Sequence, residues 1–170
     1  MKVLFIGGTG IISSACTELA IERGIDLYLL NRGQSPRPMH PQAHHLYGDI
    51  RQPDTLADFL DEHTFDVVVN WVAYIPQHVE TDLRLFRGRT SQYIFISSAS
   101  AYQTPPERLP VTENTPLENP YWEYSRNKIA CEQLVLQAYQ QEGCPTTSVR
   151  PSHTYDRTHL PIPGGYTTLE

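Results

Sequence analysis

Tyr124 and Lys128 stand four residues apart in the run Tyr124-Ser125-Arg126-Asn127-Lys128, a spacing that puts both side chains on one face if the run is helical. A phenol ionises near pH 10 and is a poor base at neutral pH unless something stabilises its anion. An ammonium about 4 Å away contributes on the order of 4 kcal/mol at an effective dielectric of 20, or roughly three pKa units before desolvation. So assisted, Tyr124 could carry a proton to or from a substrate oxygen. Spacing alone is weak evidence, because tyrosine and lysine fall four apart by chance in many helices. A second group strengthens it: Ser97, Ser98, Ala99 and Ser100 end an apolar segment and offer a hydroxyl that could bond the same oxygen.

Gly7, Gly8, Thr9 and Gly10 follow directly on another apolar run and lead into Ile11 and Ile12. Residues without Cβ let the backbone approach a pyrophosphate, and the free N–H groups and positive end of a following helix attract its charge. Gly7, Gly10 and Ser13 lie at three-residue intervals, Ser13 taking the place of a third glycine or alanine. A tight strand-to-helix turn is the plainer reading of the glycines by themselves; their place at the first crossover favours a dinucleotide. After the second apolar run, an Asp or Glu would hold the ribose 2′-hydroxyl of NAD, and Asn31, Arg32 and Gly33 stand there instead. Arg32 could pair with a 2′-phosphate, which favours NADP over NAD, or be an ordinary loop cation. Asp49, before Ile50, could accept an adenine amino group or be a turn aspartate. The stretch from Asn70 to Ala73, with Val72, would pass under the adenine-side ribose.

Alternating strand and helix signals must position these groups. Strands are expected at Val3–Ile6, Ile25–Leu30, His45–Tyr47, Val67–Val69, Tyr93–Ile96 and Thr147–Val149. Helices are expected at Ile11–Arg23, at Thr55–Glu62 with Asp54 as N-cap, around Val79–Phe86, and from about Tyr121 to Gln141 before Gly143. Continuously apolar strands imply a parallel sheet buried on both faces. The expected fold is therefore α/β, a Rossmann-type doubly wound parallel sheet in a three-layer αβα arrangement. A Pro-rich loop spans Thr104 to Pro120. Residues 1–150 form the expected NAD(P)-binding domain, and residues 151–170 read as a connector.

The 170 residues are 39% hydrophobic and 19% charged, a balance that excludes disorder and membrane-like composition. One domain of that size removes roughly 70% of its unfolded surface from water. A net charge of -6 without a Lys/Arg stripe argues against a nucleic-acid partner. Cys16, Cys131 and Cys144 lack metal-ligand spacing and suit reduced packing thiols in a cytoplasm. Met1 and Lys2 run straight into a strand too short for a signal peptide or membrane helix. His40, His44 and His45 lack zinc-type spacing, so no metal is expected. Trp71, Tyr121 and Trp122 flank the presumed cleft and could touch a substrate, although packing is the commoner role for aromatics near a sheet edge.

The runs Phe95–Tyr102 (FISSASAY), PVTENTPLENPYWEYSRNK and VRPSHTY, in that order, resemble the extended short-chain dehydrogenases, the NAD-dependent epimerases and dehydratases of nucleotide sugars. The likeness runs from Lys2 to Tyr155. It implies that Ser98, Tyr124 and Lys128 are the catalytic set, that Lys128 also binds the nicotinamide ribose, and that Pro151, Ser152 and His153 lie along the nicotinamide. It implies NAD or NADP as cofactor, a small-molecule substrate such as a nucleotide sugar, and a homodimer. A non-catalytic dinucleotide-binding protein of the same fold is the alternative; an RNA-binding relative is disfavoured by the charge. Asn31 and Arg32 depart from the pattern of a strict NAD user, and Asp156 and Arg157 stand where Gly-Pro often follows the tyrosine. Such proteins normally continue into a smaller substrate-gripping lobe. With that lobe absent, this chain is expected to bind cofactor and turn over substrate poorly.

Overall fold

A computed structural model describes residues 1–158, apart from the side chains of residues 57, 58 and 61. The connector expected over 151–170 lies outside the described residues from 159 onward. Strands β1 (Lys2–Ile6), β2 (Asp26–Asn31), β3 (His44–Tyr47), β4 (Phe65–Asn70), β5 (Thr90–Ile96) and β6 (Thr146–Val149) form one parallel sheet in the order β3-β2-β1-β4-β5-β6. That is the doubly wound order in which the winding direction reverses beside β1. Ligands in such sheets bind outside the carboxyl ends of the strands at that reversal.

Helices α1 (Ile11–Glu22), α2 (Ala57–Glu62), α3 (Pro76–Phe86) and α4 (Glu123–Glu142) cover the two faces. Successive side chains of a strand point to opposite faces, so an apolar run feeds two cores at once. Leu4 and Ile6 of β1 join Val68, Phe95, Val79 of α3 and Val135 of α4 on one side. Val3 and Phe5 join Leu27, Leu29, Val69 and Ala20 of α1 on the other. This is the three-layer arrangement expected from the sequence.

Element ends differ where hydrogen bonding overrides side-chain pattern. The helix expected to start at Thr55 under an Asp54 cap is instead a 3₁₀ turn, Pro53–Leu56, that feeds α2 without a side-chain cap. Proline fixes φ for a tight turn, and Asp54 falls inside it. β4 and β5 reach back to Phe65 and Thr90, which pair in register, so the ladder recruits polar residues that periodicity leaves out. α4 begins at Glu123 because Trp122 is extended (φ -125, ψ 119). The Asn119 Oδ1 accepts the N–H groups of Tyr121 and Trp122 and holds them out of the helix. Gly143 ends α4 at φ 66, a left-handed conformation glycine takes without strain.

The Pro-rich loop folds back on the end of β5. Tyr102 and Leu117 form an antiparallel bridge, Gln103 N donates to Pro116 O at 2.7 Å, and Asn119 Nδ2 donates to Ser100 O at 2.9 Å. The loop therefore braces the serine run.

Candidate active site

A groove of about 720 Å³ opens along the carboxyl ends of the strands, floored by Gly7 to Ser13 and walled by Asn31, Arg32, Asp49, Ile50, Trp71 and Val72. Gly7 and Gly8 have φ of 99° and 125°, and a Cβ on Gly8 would sit 2.9 Å from Leu29 Cδ2. Only glycine makes that turn and packs that closely on β2. Ser13 is buried and its Oγ accepts the Gly10 N–H at 2.8 Å, which explains a small hydroxyl at the third position. Gly10, the N-cap, has no side chain to accept the first-turn amides of α1, which leaves them to face an anion. Trp71 lines the same groove, and its Nε1 is buried with no partner among the described residues, a donor that a ligand could satisfy. The cradle fits a dinucleotide pyrophosphate.

Several residues singled out from the sequence hold the cradle rather than face its contents. Asn31 Nδ2 donates to Gly7 O at 3.0 Å, bracing the glycine loop from β2. Asp49 lines the groove and is also a turn aspartate, its Oδ1 accepting Arg51 N at 3.0 Å. Ala73 is buried and does not line the groove. Pro151 O accepts the Ala99 N–H at 2.9 Å, Ser152 and His153 are exposed, and Thr154 supplies the groove wall on that side. Arg37, also in the wall, carries no sequence signal beyond its charge.

The two serines that close β5 point apart. The Ser97 hydroxyl is buried and donates to Glu132. Ser98 caps a 3₁₀ turn, Ala99–Ala101, through Ser100 N, and its Oγ lies 2.9 Å from the Ser100 Oγ, which in turn accepts from Ser125 at 2.9 Å. Burial raises the pKa of the half-buried Tyr124 phenol; Tyr74 nearby adds to this, and a hydrogen bond with Ser98 opposes it. Ser98 and Tyr124 therefore meet at one point.

Lys128 stands one turn from Tyr124 on α4. It is 2% exposed, and its Nζ donates to Ala73 O at 2.6 Å and Ile96 O at 2.7 Å. A buried ammonium takes the acceptors within reach, here a carbonyl in the segment past β4 and one at the end of β5. Its Nζ stands 5.5 Å from the Tyr124 ring centroid and 5.1 Å from that of Tyr74. Burial shifts the Tyr124 phenol upward. Burial also pushes Lys128 down to about 8. Two of its three donors are committed to these carbonyls.

A buried ion pair ties these segments together. Arg150, at the end of β6, forks onto Glu132 of α4 with Nε at 2.9 and 3.1 Å from the two carboxylate oxygens, and its Nη1 donates to Tyr102 OH at 3.1 Å. Glu132 lies one turn beyond Lys128 and holds Ser97, so one carboxylate fixes the helix of Lys128 against the strand of Ser98. On the other side of α4, the fully buried Asp82 of α3 accepts from Tyr93 OH at 2.6 Å and from Asn70 Nδ2. The Asn70 Oδ1 accepts Val72 N at 2.7 Å, which shapes the groove wall past β4.

Tyr121 and Trp122, expected as packing aromatics, are 76% and 55% exposed. Asn119 holds both outside α4, and the Trp122 ring lies 4.8 Å from that of Tyr124. Trp71 does pack, edge-on to Phe5 at 5.2 Å. Among the histidines, His44 pairs with Asp26 and His45 with the His40 carbonyl. No helix among the described residues is long and apolar enough to cross a membrane.

The profile of the NAD dependent epimerase/dehydratase family matches residues 3–91 and 83–161. UDP-glucose 4-epimerase of Lactobacillus helveticus is 28% identical over 168 residues, covering 88% of this chain and 51% of that protein. Chloroplast stem-loop binding protein of 41 kDa b of Arabidopsis thaliana is 27% identical over 167 residues, covering 91% of this chain and 42% of that protein. The solved structure of dTDP-glucose 4,6-dehydratase from Bacillus anthracis in complex with NAD superposes with a TM-score of 0.75 at 20% identity, over 88% of this chain and 54% of that one. The chain spans about half the length of the curated relatives it matches.

Proposed function

This chain belongs to the NAD dependent epimerase/dehydratase family, and from that premise we propose that it is the cofactor-binding portion of an oxidoreductase, epimerase or dehydratase acting on a nucleotide sugar. One observation carries the reading: the glycine groove and the Ser98, Tyr124 and Lys128 side chains share the carboxyl edge of one sheet. A dinucleotide would lie with its pyrophosphate on Gly7 to Ile12. Its nicotinamide would supply a hydride acceptor and donor. Tyr124 would move the proton at the substrate oxygen, Ser98 would orient that oxygen, and the remaining Lys128 donor would bond a ribose hydroxyl. The cationic lysine would also favour the phenolate once a substrate and cofactor exclude water.

NAD is the cofactor named for the Bacillus anthracis dehydratase, whereas Arg32 favours NADP here. The free thiols of Cys16, Cys131 and Cys144 suit a reducing cytoplasm. A homodimer would use α4, where Leu136 and Tyr139 are exposed. A nucleic-acid stem-loop, the ligand in the name of the Arabidopsis relative, would meet a net charge of -6 here.

Trp71 provides the assay, since it lines the groove. Its fluorescence should respond saturably to NAD or NADP, and Arg32→Ala should weaken NADP selectively. Absence of binding to either at millimolar concentration would sink the cofactor assignment. Reduction of bound dinucleotide by UDP-sugars should be slow in the 170-residue chain and absent in Tyr124→Phe; equal rates would overturn the role of Tyr124.

A further inference from the structure

Arg37 and Asp156 come from opposite ends of the site. Arg37 lies in the loop between β2 and β3, and Asp156 follows β6. In the sheet order, β1, β4 and β5 lie between β2 and β6. A link between those two segments therefore passes over the strand ends where the groove opens.

That link exists. Arg37 Nη2 is 2.6 Å from Asp156 Oδ2 and donates to Thr158 Oγ1 at 2.7 Å, with side-chain exposures of 28% for Arg37 and 22% for Asp156. The Asp156 Oδ1 accepts both the N–H and the hydroxyl of Thr158 at 2.7 Å, which presents the other oxygen to Arg37. The Thr158 bonds, followed by Arg37, hold the carboxyl down at about 2, so it is ionised throughout the neutral range. Arg37 and Thr154 both line the groove. This occupies the position where the sequence departs from the Gly-Pro pattern, and a Gly-Pro there would have no carboxylate to offer.

We propose that Arg37, Asp156 and Thr158 form a clasp that closes the groove over a bound dinucleotide and must open for it to enter or leave. The inference rests on the dinucleotide reading of the groove. A clasp that is closed in the free and the bound chain alike slows association and dissociation together, whereas a residue that merely holds the wall in shape lowers affinity. Being partly exposed, the pair is also screened by salt.

The test is stopped-flow measurement of NAD and NADP binding to the full 170-residue chain by the fluorescence of its two tryptophans, Trp71 and Trp122. In Asp156→Asn both rate constants should rise by about fivefold with the dissociation constant changed less than twofold, and Arg37→Gln, which also removes a groove cation, should raise the association rate constant by the same factor; the double variant should associate no faster than the singles. Raising the salt should speed exchange in the wild type and have less effect in the variants. Thermal melts of both variants should match the wild type, because the substitutions are partly exposed and leave the fold intact. Unchanged rates in both variants, or an affinity loss carried by dissociation alone, would overturn the clasp. Failure of the wild type to bind either dinucleotide would instead remove the reading on which it rests.

Discussion

Substituting Glu132 by Ala removes the carboxylate that meets Arg150 while leaving the guanidinium under the fold. Side-chain exposures are 19% for Arg150 and 6% for Glu132, and the Tyr102 hydroxyl stays with the arginine at 3.1 Å. Breaking one side of a buried pair costs about 3–5 kcal/mol because a charge is left uncompensated. Arg150 keeps some access to water, so Glu132→Ala belongs near the lower end, about 3 kcal/mol. Arg150→Ala leaves the deeper Glu132 with the Ser97 hydroxyl and no guanidinium, and belongs nearer the upper end. For a chain of this length each kcal/mol lowers Tm by about 2–4 °C, so Glu132→Ala should melt roughly 6–12 °C early. Replacing both partners at once, as Glu132→Leu with Arg150→Met, should cost far less than the two single alanine losses added. Urea unfolding of the wild type and these variants, with linear extrapolation, measures the differences. A Glu132→Ala loss below about 1 kcal/mol, or a double variant as costly as the added single losses, would refute the claim that this pair anchors the segments of Ser97 and Lys128.

Gly8→Ala should abolish dinucleotide binding and cost about 1–3 kcal/mol, because φ is 125° and the added methyl meets Leu29 Cδ2 at 2.9 Å; an unchanged melt would contradict the close packing of the loop on β2. Burial raises Asp82 from 3.8 to about 7, so between those values the folded chain binds a proton that the unfolded chain has released. Stability relative to Asp82→Asn should therefore fall as pH rises from about 4 to about 7, by at most ~1.4 kcal/mol per pH unit, and then level off; a flat difference in urea titrations excludes it. Lys128 behaves in the opposite sense: burial lowers it from 10.5 to about 8, so dinucleotide affinity should weaken as pH rises through that value and its ammonium is lost. Lys128→Met should bind weakly without that pH dependence in the same fluorescence titration.

The parallel sheet and its layering are legible in the sequence because they follow from local pattern. The apolar run of β1, the glycines after it and the long α4 segment each carry a signal within a few residues. The order of Gly7, Ser98, Tyr124 and Lys128 is enough to suggest a site. What the side chains do there is not legible, because it depends on neighbours far along the chain. Spacing puts Lys128 beside Tyr124, yet its ammonium turns to Ala73 and Ile96 carbonyls that only the packed strands bring near. Ser97 and Ser98 are equivalent in sequence; the buried Glu132 claims the first and leaves the second for Tyr124. Asn31, whose position directs it toward a ribose, braces Gly7. Asp156 is only a departure from a pattern until folding lays it, with Thr158, against an arginine that stands 121 positions before that threonine. Periodicity and turn preference act over a few residues, so the order of residues alone is enough to say which elements form and which groups could do chemistry. Which polar groups find partners is settled by packing, because burial removes water and each donor must then take whatever acceptor the fold has placed beside it.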